Sequence, residues 1–588
     1  MESRNLGFAE WRDPQAWMES MKGPGWRKIL DEEARRFQEF VARTPATEFE
    51  VELSTAEPTE ANGRFETEDG EVIVVPQGTL NYSWRYATST EYHTAAELDA
   101  KKGGHLWTIA DVGSGGELYQ CEYLHAGHST WKLKGVGPFV GVYKNRCYLI
   151  EADRLWYNTL ISVNAMTGKD RRVHYKEVDT RWNLRLDRLQ DGSLALVGNN
   201  AGTQRLWTVS ETVEELYPSG VAFVPVTRSS AFVRLKDEDS YEPKGTITDF
   251  RFPNFKTQTP EWMSIGRGLL ITRSMGERTL WKISRSSKPE PLKKVLGAFM
   301  PDPWSNELLI LEPCATRYSY GQNPCPYASV KKYITTSKDG TKVTLVYVSA
   351  VEKPKAAFVV GYGAYGLPTG LGTSRWRPLL TRGWAIVFCL VRGSGDDTDS
   401  WAEAARRDQK VKSVEDFEAC IRKTRSITGL APSKIVIYGR SAGGYLVGAT
   451  VGRNPHGNLF GAAYTEVPYV DVLRTTTNPS LPLTQLEYEE FGDPATRLQD
   501  FGALLRLSPV DLIPEEGIPA IFVLCRTALL DMEVLAYESM KWIRKLRGTK
   551  KGKPKLLAIT AGEGHFAKGE SATRQRAQDL AILDAFVN

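Results

Sequence analysis

Between the apolar, β-branched run Ile435-Val436-Ile437 and the segment Leu446-Val447-Gly448-Ala449-Thr450 lies Tyr438-Gly439-Arg440-Ser441-Ala442-Gly443-Gly444-Tyr445. Strand, tight G-x-S-x-G turn and helix in that order make a nucleophile elbow, and no other stretch limits the fold as strongly. Gly439 and Gly443 stand where a Cβ would meet neighbouring backbone. The turn lifts Ser441 Oγ clear of the sheet. A serine hydroxyl is a poor nucleophile at its free pKa. The rest of the chain must therefore supply a base, an orienting acid and an oxyanion site.

At 588 residues the chain is too long for one ordinary core, so two domains are the default. The formal charge of +4 is small for this length and leaves no nucleic-acid footprint. No apolar run is long enough to span a bilayer, and Met1-Glu2-Ser3-Arg4-Asn5-Leu6 lacks an apolar signal core. The seven cysteines are an odd number without paired spacing. Even the closest two, Cys314 and Cys325, have no accompanying His or Cys cluster. Reduced thiols in a cytoplasmic protein are expected, rather than disulfides or zinc.

Three textures divide the chain. Asp13 to about Arg43 reads as helix, with Trp17, Met21, Ile29, Leu30, Ala34 and Phe37 at near-helical spacing and Pro24 breaking it in two. From Glu48 to Asn323, short apolar runs such as Val72-Ile73-Val74-Val75 and Leu194-Ala195-Leu196-Val197 alternate with turn residues, as many short strands do. Leu106-Trp107, Leu155-Trp156, Leu206-Trp207 and Leu280-Trp281 repeat within it, the first three about fifty residues apart, the size of a propeller blade. The longer last gap means a blade without its tryptophan or with an insertion. Six or seven blades of roughly forty residues would fit; two all-β sandwiches are the competing arrangement. From about Tyr327 onward, strands and helices alternate, which implies a mainly parallel sheet covered on both faces. The expected division is an N-terminal helical segment at 1–47, a β-propeller at 48–325 and an α/β-hydrolase domain at 326–588.

In that fold the triad runs Ser, acid, His along the chain. Two histidines follow Ser441. His456 precedes any late strand and reads as structural or exposed. His565 follows the strand at Leu556–Ile559 and occupies the strand-end loop where a base belongs. Asp531, after the run Ala520–Cys525, is the candidate acid, and Glu533 its rival as a helix-starting residue. The N–H of Ala442 is one oxyanion donor. Tyr362, in the Gly-rich turn Gly361-Tyr362-Gly363, is either the second donor or a packing aromatic.

These residues resemble the prolyl oligopeptidase family of serine peptidases, most closely its oligopeptidase B branch. Gly439-Arg440-Ser441-Ala442-Gly443-Gly444 carries the resemblance, with Glu466-Val467-Pro468-Tyr469-Val470-Asp471-Val472, Glu487-Tyr488-Glu489-Glu490-Phe491-Gly492-Asp493-Pro494 and Gly361-Tyr362-Gly363-Ala364-Tyr365-Gly366. It covers about Val330–His565. It implies an α/β-hydrolase domain capped by a seven-bladed propeller, an N-terminal segment packed on the catalytic domain, and cleavage of short peptides after Arg or Lys. Under it, Tyr362 is the second oxyanion donor and Tyr365 walls the pocket, with Tyr469 a further substrate-binding residue. Glu487 pairs with the Arg or Lys in that pocket and Glu489 with the neighbouring basic residue. Without the resemblance, Glu487-Tyr488-Glu489-Glu490 is only an acidic surface run. Short basic peptides are the expected partners of a monomer or homodimer, with no nucleic acid, no membrane, and neither metal nor organic cofactor.

Some positions depart from the family. The chain is short, bulky residues precede Asp531, Phe566 follows the histidine where Gly is usual, and Glu533 stands where the prolyl-specific branch has Arg. An esterase or acyl-peptide hydrolase on the same fold, and a non-catalytic propeller interaction protein, are the alternative functions.

Overall fold

The computed structural model describes residues 3–588 except 57–62, 68–69, 77–81, 87–92, 95, 100–104, 112–117, 126–127, 190, 201–202, 211, 235–239, 302–307, 315–317, 320, 322–325 and 568. The chain forms two compact units. One comprises Met1–Thr59, Pro326–Gly395 and Trp401–Asn588; the other comprises Glu60–Cys325 with Asp396–Ser400.

The first unit is built on one eight-stranded sheet. Its strands are β1 (Ser329–Thr336), β2 (Lys342–Ser349), β3 (Ala356–Val360), β4 (Trp384–Leu390), β5 (Ile435–Arg440), β6 (Ala462–Glu466), β7 (Phe522–Ala528) and β8 (Lys555–Thr560). They lie in the order β1-β2-β4-β3-β5-β6-β7-β8. β1 and β2 pair antiparallel, as do β2 and β4, and from β4 to β8 every pairing is parallel. Each residue of β3 and β4 is buried, as expected of parallel strands covered on both faces. The covering helices include α3 (Val411–Thr428), α4 (Ala442–Arg453), α7 (Ala536–Arg547) and α8 (Gly569–Val587).

The N-terminal segment belongs to this unit. A short 3-10 helix (Ala16–Ser20) precedes its helix α1 (Gly23–Val41), and Pro24 occupies the first turn of α1, so the segment falls into two pieces at the proline. Met18, Trp26 and Ile29 join the core that runs across the sheet from β2 to β8 with α3, α4 and α7. The following residues, taken from sequence texture as the start of the strand-rich region, form a further helix, α2 (Ala46–Ala56). Phe49 and Leu53, one turn apart, are its buried face. Arg382 lies over the Phe49 ring at 3.8 Å and pairs with Glu52 at 2.5 Å. The compact units therefore divide near residue 60 rather than 48.

The second unit is all strand apart from one short turn of 3-10 helix among its described residues. Among the described residues its five sheets resolve into seven antiparallel groups of three or four strands, because two long strands each serve two neighbours. His128–Val136 pairs with Tyr119–His125, and the same strand from Val136 to Tyr143 pairs with Arg146–Glu151. Val213–Thr227 divides in the same way after Val221. The tryptophan repeat marks the third strand of three groups, at Trp156, Trp207 and Trp281. The group between Trp207 and Trp281 has no tryptophan in its strands, which accounts for the long gap in the repeat; buried Phe232 fills its core instead. Six of the seven cysteines are free and buried, and Cys325 lies outside the described residues.

Candidate active site

Ser441 sits where β5 hands over to α4, with φ 55° and ψ −120°. This left-handed conformation costs a non-glycine residue about 1–3 kcal/mol and persists only where the surroundings over-determine it. Here its N–H donates to Glu466 O at 3.0 Å, and its carbonyl accepts from Tyr469 N at 3.0 Å and Gly444 N at 2.8 Å. The helix begins at Ala442, earlier than the apolar run at Leu446 suggests. Its first N–H groups lack intrahelical acceptors and face the serine's end of the turn. A Cβ on Gly439 would fall 2.0 Å from Gly443 O, and one on Gly444 would fall 2.3 Å from Pro468 Cβ. Gly444→Ala is expected to destabilise the catalytic unit by about 3 kcal/mol, because proline backbone rather than a flexible side chain must yield. The check is its urea midpoint against wild type.

The strand-end loops bring the other candidates to this turn. Asp531 follows β7 and is buried. Its Oδ1 accepts from the N–H groups of Glu533 and Val534, both at 2.9 Å, and its Oδ2 lies 2.8 Å from His565 Nδ1. Asp531, and not Glu533, is thus the acid on Nδ1. Glu533 does not start the helix either: α7 opens at Ala536, and the Glu533 carboxylate lies 3.4 Å from His565 Nε2. The loop bearing His565 is tied to the loop bearing Asp531 through Leu530 N donating to Glu563 O at 3.1 Å.

Arg440, inside the elbow, reaches across to the same loop. It donates to His565 O, and its guanidinium stacks on the Phe566 ring at 4.4 Å, a contact worth about 0.5–1 kcal/mol at a partly exposed site. Phe566 thereby has a role that a glycine could not fill. The sequence signal for this pair was present in the two residues, but not in their spacing of more than a hundred positions.

Tyr362 follows β3 in a loop fastened by Lys410 Nζ donating to Gly363 O at 3.0 Å. A cavity of about 200 Å³ opens there, lined by Tyr362, Tyr365, Ser441, Tyr469, Glu487 and Glu533 among others. Burial, with the nearby carboxylates of Glu533 and Glu487, raises the Tyr362 phenol well above its usual pKa, so it stays a hydrogen-bond donor. Tyr365 donates to Glu487 Oε2 at 2.6 Å. Burial, reinforced by Glu490, pushes the Glu487 carboxyl up to about 7 against the opposing pull of Tyr365 and Lys410. Glu489 is placed apart from the cavity-lining residues, with its carboxylate paired to Arg407. Glu490 is buried and paired to Lys410. His456, beyond the end of α4, takes no place among the site residues.

A strained serine elbow, a histidine after the last strand and a buried aspartate on its Nδ1, all on this sheet order, define an α/β-hydrolase, joined in one chain to a β-propeller. Residues 373–588, the segment bearing Ser441, Asp531 and His565, match the model of the prolyl oligopeptidase family. Similar relatives are Protease 2 of Moraxella lacunata, 34% identical over 258 residues, and Dipeptidyl aminopeptidase BI of Pseudoxanthomonas mexicana, 30% identical over 276 residues. The matches cover 43% and 45% of this chain but only 36% and 38% of those proteins. Among solved structures, oligopeptidase B from Leishmania major superposes with a TM-score of 0.79 at 19% identity, covering 98% of this chain and 94% of that one. Oligopeptidase B from Trypanosoma brucei with covalently bound antipain gives 0.79 at 20% identity, with the same coverage. At such identities the likeness speaks for the fold.

Proposed function

We propose that the chain is a serine oligopeptidase that cleaves short peptides after Arg or Lys. Ser441 attacks the carbonyl, and His565 takes its proton and returns it to the leaving amine. Asp531 fixes the His565 tautomer and stabilises the imidazolium. Ala442 N–H and the Tyr362 hydroxyl donate to the oxyanion. Water then hydrolyses the acyl-enzyme, with His565 again as base.

The observation that carries this reading is the Glu487 carboxylate in the same cavity as Ser441. A partly desolvated carboxylate rewards a matching guanidinium or ammonium and rejects an apolar side chain. The buried free thiols support work in a reducing, cytoplasmic setting. A peptide-library digest tests the reading. Wild type is expected to cut after Arg and Lys, and Ser441→Ala to cut nothing. Turnover of plain acyl esters with arginyl amides left intact would instead make the protein an esterase on the same fold.

A further inference from the structure

Cleavage after a basic residue uses one carboxylate of the cavity, Glu487; of the other two, Glu538 already accepts from Val470 N, Asp471 N and Thr475 Oγ1, which leaves Glu533 without a task. Glu533 stands at the reacting centre. Its Oε2 is 3.4 Å from His565 Nε2, the nitrogen left over once Nδ1 has bonded to Asp531. Its main chain is fixed by the hydrogen bond from its N–H to Asp531 Oδ1. Its side chain is 22% exposed and so open to an incoming group.

This contact has a chemical consequence. To act as base, His565 needs a free lone pair on Nε2. With the Nδ1 proton given to Asp531, that lone pair faces a carboxylate, and two acceptors meet unless a proton lies between them. Whether that proton sits on His565 or on Glu533, Nε2 is engaged away from Ser441. A positive group that draws the carboxylate to itself frees it.

Covalent geometry selects the group. The α-nitrogen of a residue lies about 2.5 Å from its own carbonyl carbon. When that carbonyl is presented to Ser441, the α-ammonium is the substrate cation nearest the reacting atoms, while the basic side chain is committed to Glu487. The Tyr469 hydroxyl, buried in the same cavity and lacking a hydrogen-bond partner among the described residues, offers the ammonium a second acceptor.

We propose that Glu533 binds the free α-ammonium of the residue whose carbonyl is attacked, giving the protein an aminopeptidase activity on N-terminal Arg or Lys. The inference rests on the peptidase reading above. Water adds across the amide, and the products are the free basic amino acid and a peptide one residue shorter, with no other reactant.

The test compares arginine anilide, Nα-acetyl-arginine anilide and Nα-acetyl-Arg-Arg anilide on wild type and Glu533→Gln. Wild type is expected to favour the free amine over its acetylated form by about tenfold or more in kcat/KM, and Glu533→Gln to erase most of that ratio. An unchanged ratio overturns the proposal, as does a variant that loses only its preference for the acetylated Arg-Arg substrate. Binding of argininamide and Nα-acetyl-argininamide to Ser441→Ala, with and without Glu533→Gln, separates the two readings by calorimetry. Tighter binding of the free amine that depends on Glu533, with no anilide cleaved, sinks the peptidase and keeps the ammonium site. Cleavage of the acetylated substrate without any free-amine preference in either assay keeps the peptidase and sinks the site.

Discussion

Asp531→Asn is expected to lower kcat on an arginyl amide by about 10⁴-fold while leaving the fold intact. The geometry dictates which way the asparagine faces. Oδ1 of Asp531 accepts from two backbone N–H groups, of Glu533 and Val534, each at 2.9 Å. Only the amide oxygen can replace it there, since an NH₂ would point donor at donor. The NH₂ is then turned toward His565 Nδ1, which must become the acceptor. Its proton moves to Nε2, the nitrogen that has to receive the Ser441 proton, and the base is lost by tautomer rather than by displacement. Steady-state kinetics and the unfolding midpoint, measured on one preparation, check both halves. A kcat loss below tenfold at unchanged stability would remove Asp531 from the proposed triad.

Glu487→Gln is expected to cost roughly 10²–10³-fold in kcat/KM on arginyl amides, and far less on a neutral acyl ester. Gln keeps the hydrogen bond from Tyr365 but not the charge. Burial already pushes the Glu487 carboxyl up to about 7, so the free pocket gains its negative charge as pH rises through that value. The sign follows. A raised carboxyl favours the folded, empty protein in its neutral form, so stability falls as pH rises from the ordinary carboxyl value of 4.5 to about 7, and above that the full cost of the buried charge stands until a cation binds. Selectivity for arginyl amide over neutral ester should therefore climb from pH 6 to pH 8 on wild type and stay flat on Glu487→Gln. Taking the ratio of two substrates cancels the titration that both share. Equal losses on both substrates would refute the pocket role.

The elbow, the parallel sheet and the order of nucleophile, acid and base were legible because each depends on local chemistry. Gly439 and Gly443 bracket Ser441 because backbone oxygens crowd both positions, and strands buried on two faces must read as apolar runs. The tryptophan repeat was legible for a related reason: Trp156, Trp207 and Trp281 take the same strand position in three of the antiparallel groups. Less local features were misread or missed. Glu48 to Ala56 has strand-like composition, yet it is a helix, because Phe49 and Leu53 find a buried face and Glu52 finds Arg382. The resemblance alone implied a substrate contact for Glu489, and no local pattern announced the partner its carboxylate has in the fold, Arg407.

By itself, the sequence determined which residues can form the turn, the base and the acid, since those choices depend on residue type and order along the chain. Tertiary structure alone decided how the two carboxylates of the acid loop divide around one imidazole, Asp531 on Nδ1 and Glu533 on Nε2. Two residues apart, they were rivals for one role in the sequence. In space they take opposite sides of the ring, because the two backbone N–H groups that hold Asp531 end the strand and turn the chain before α7 begins.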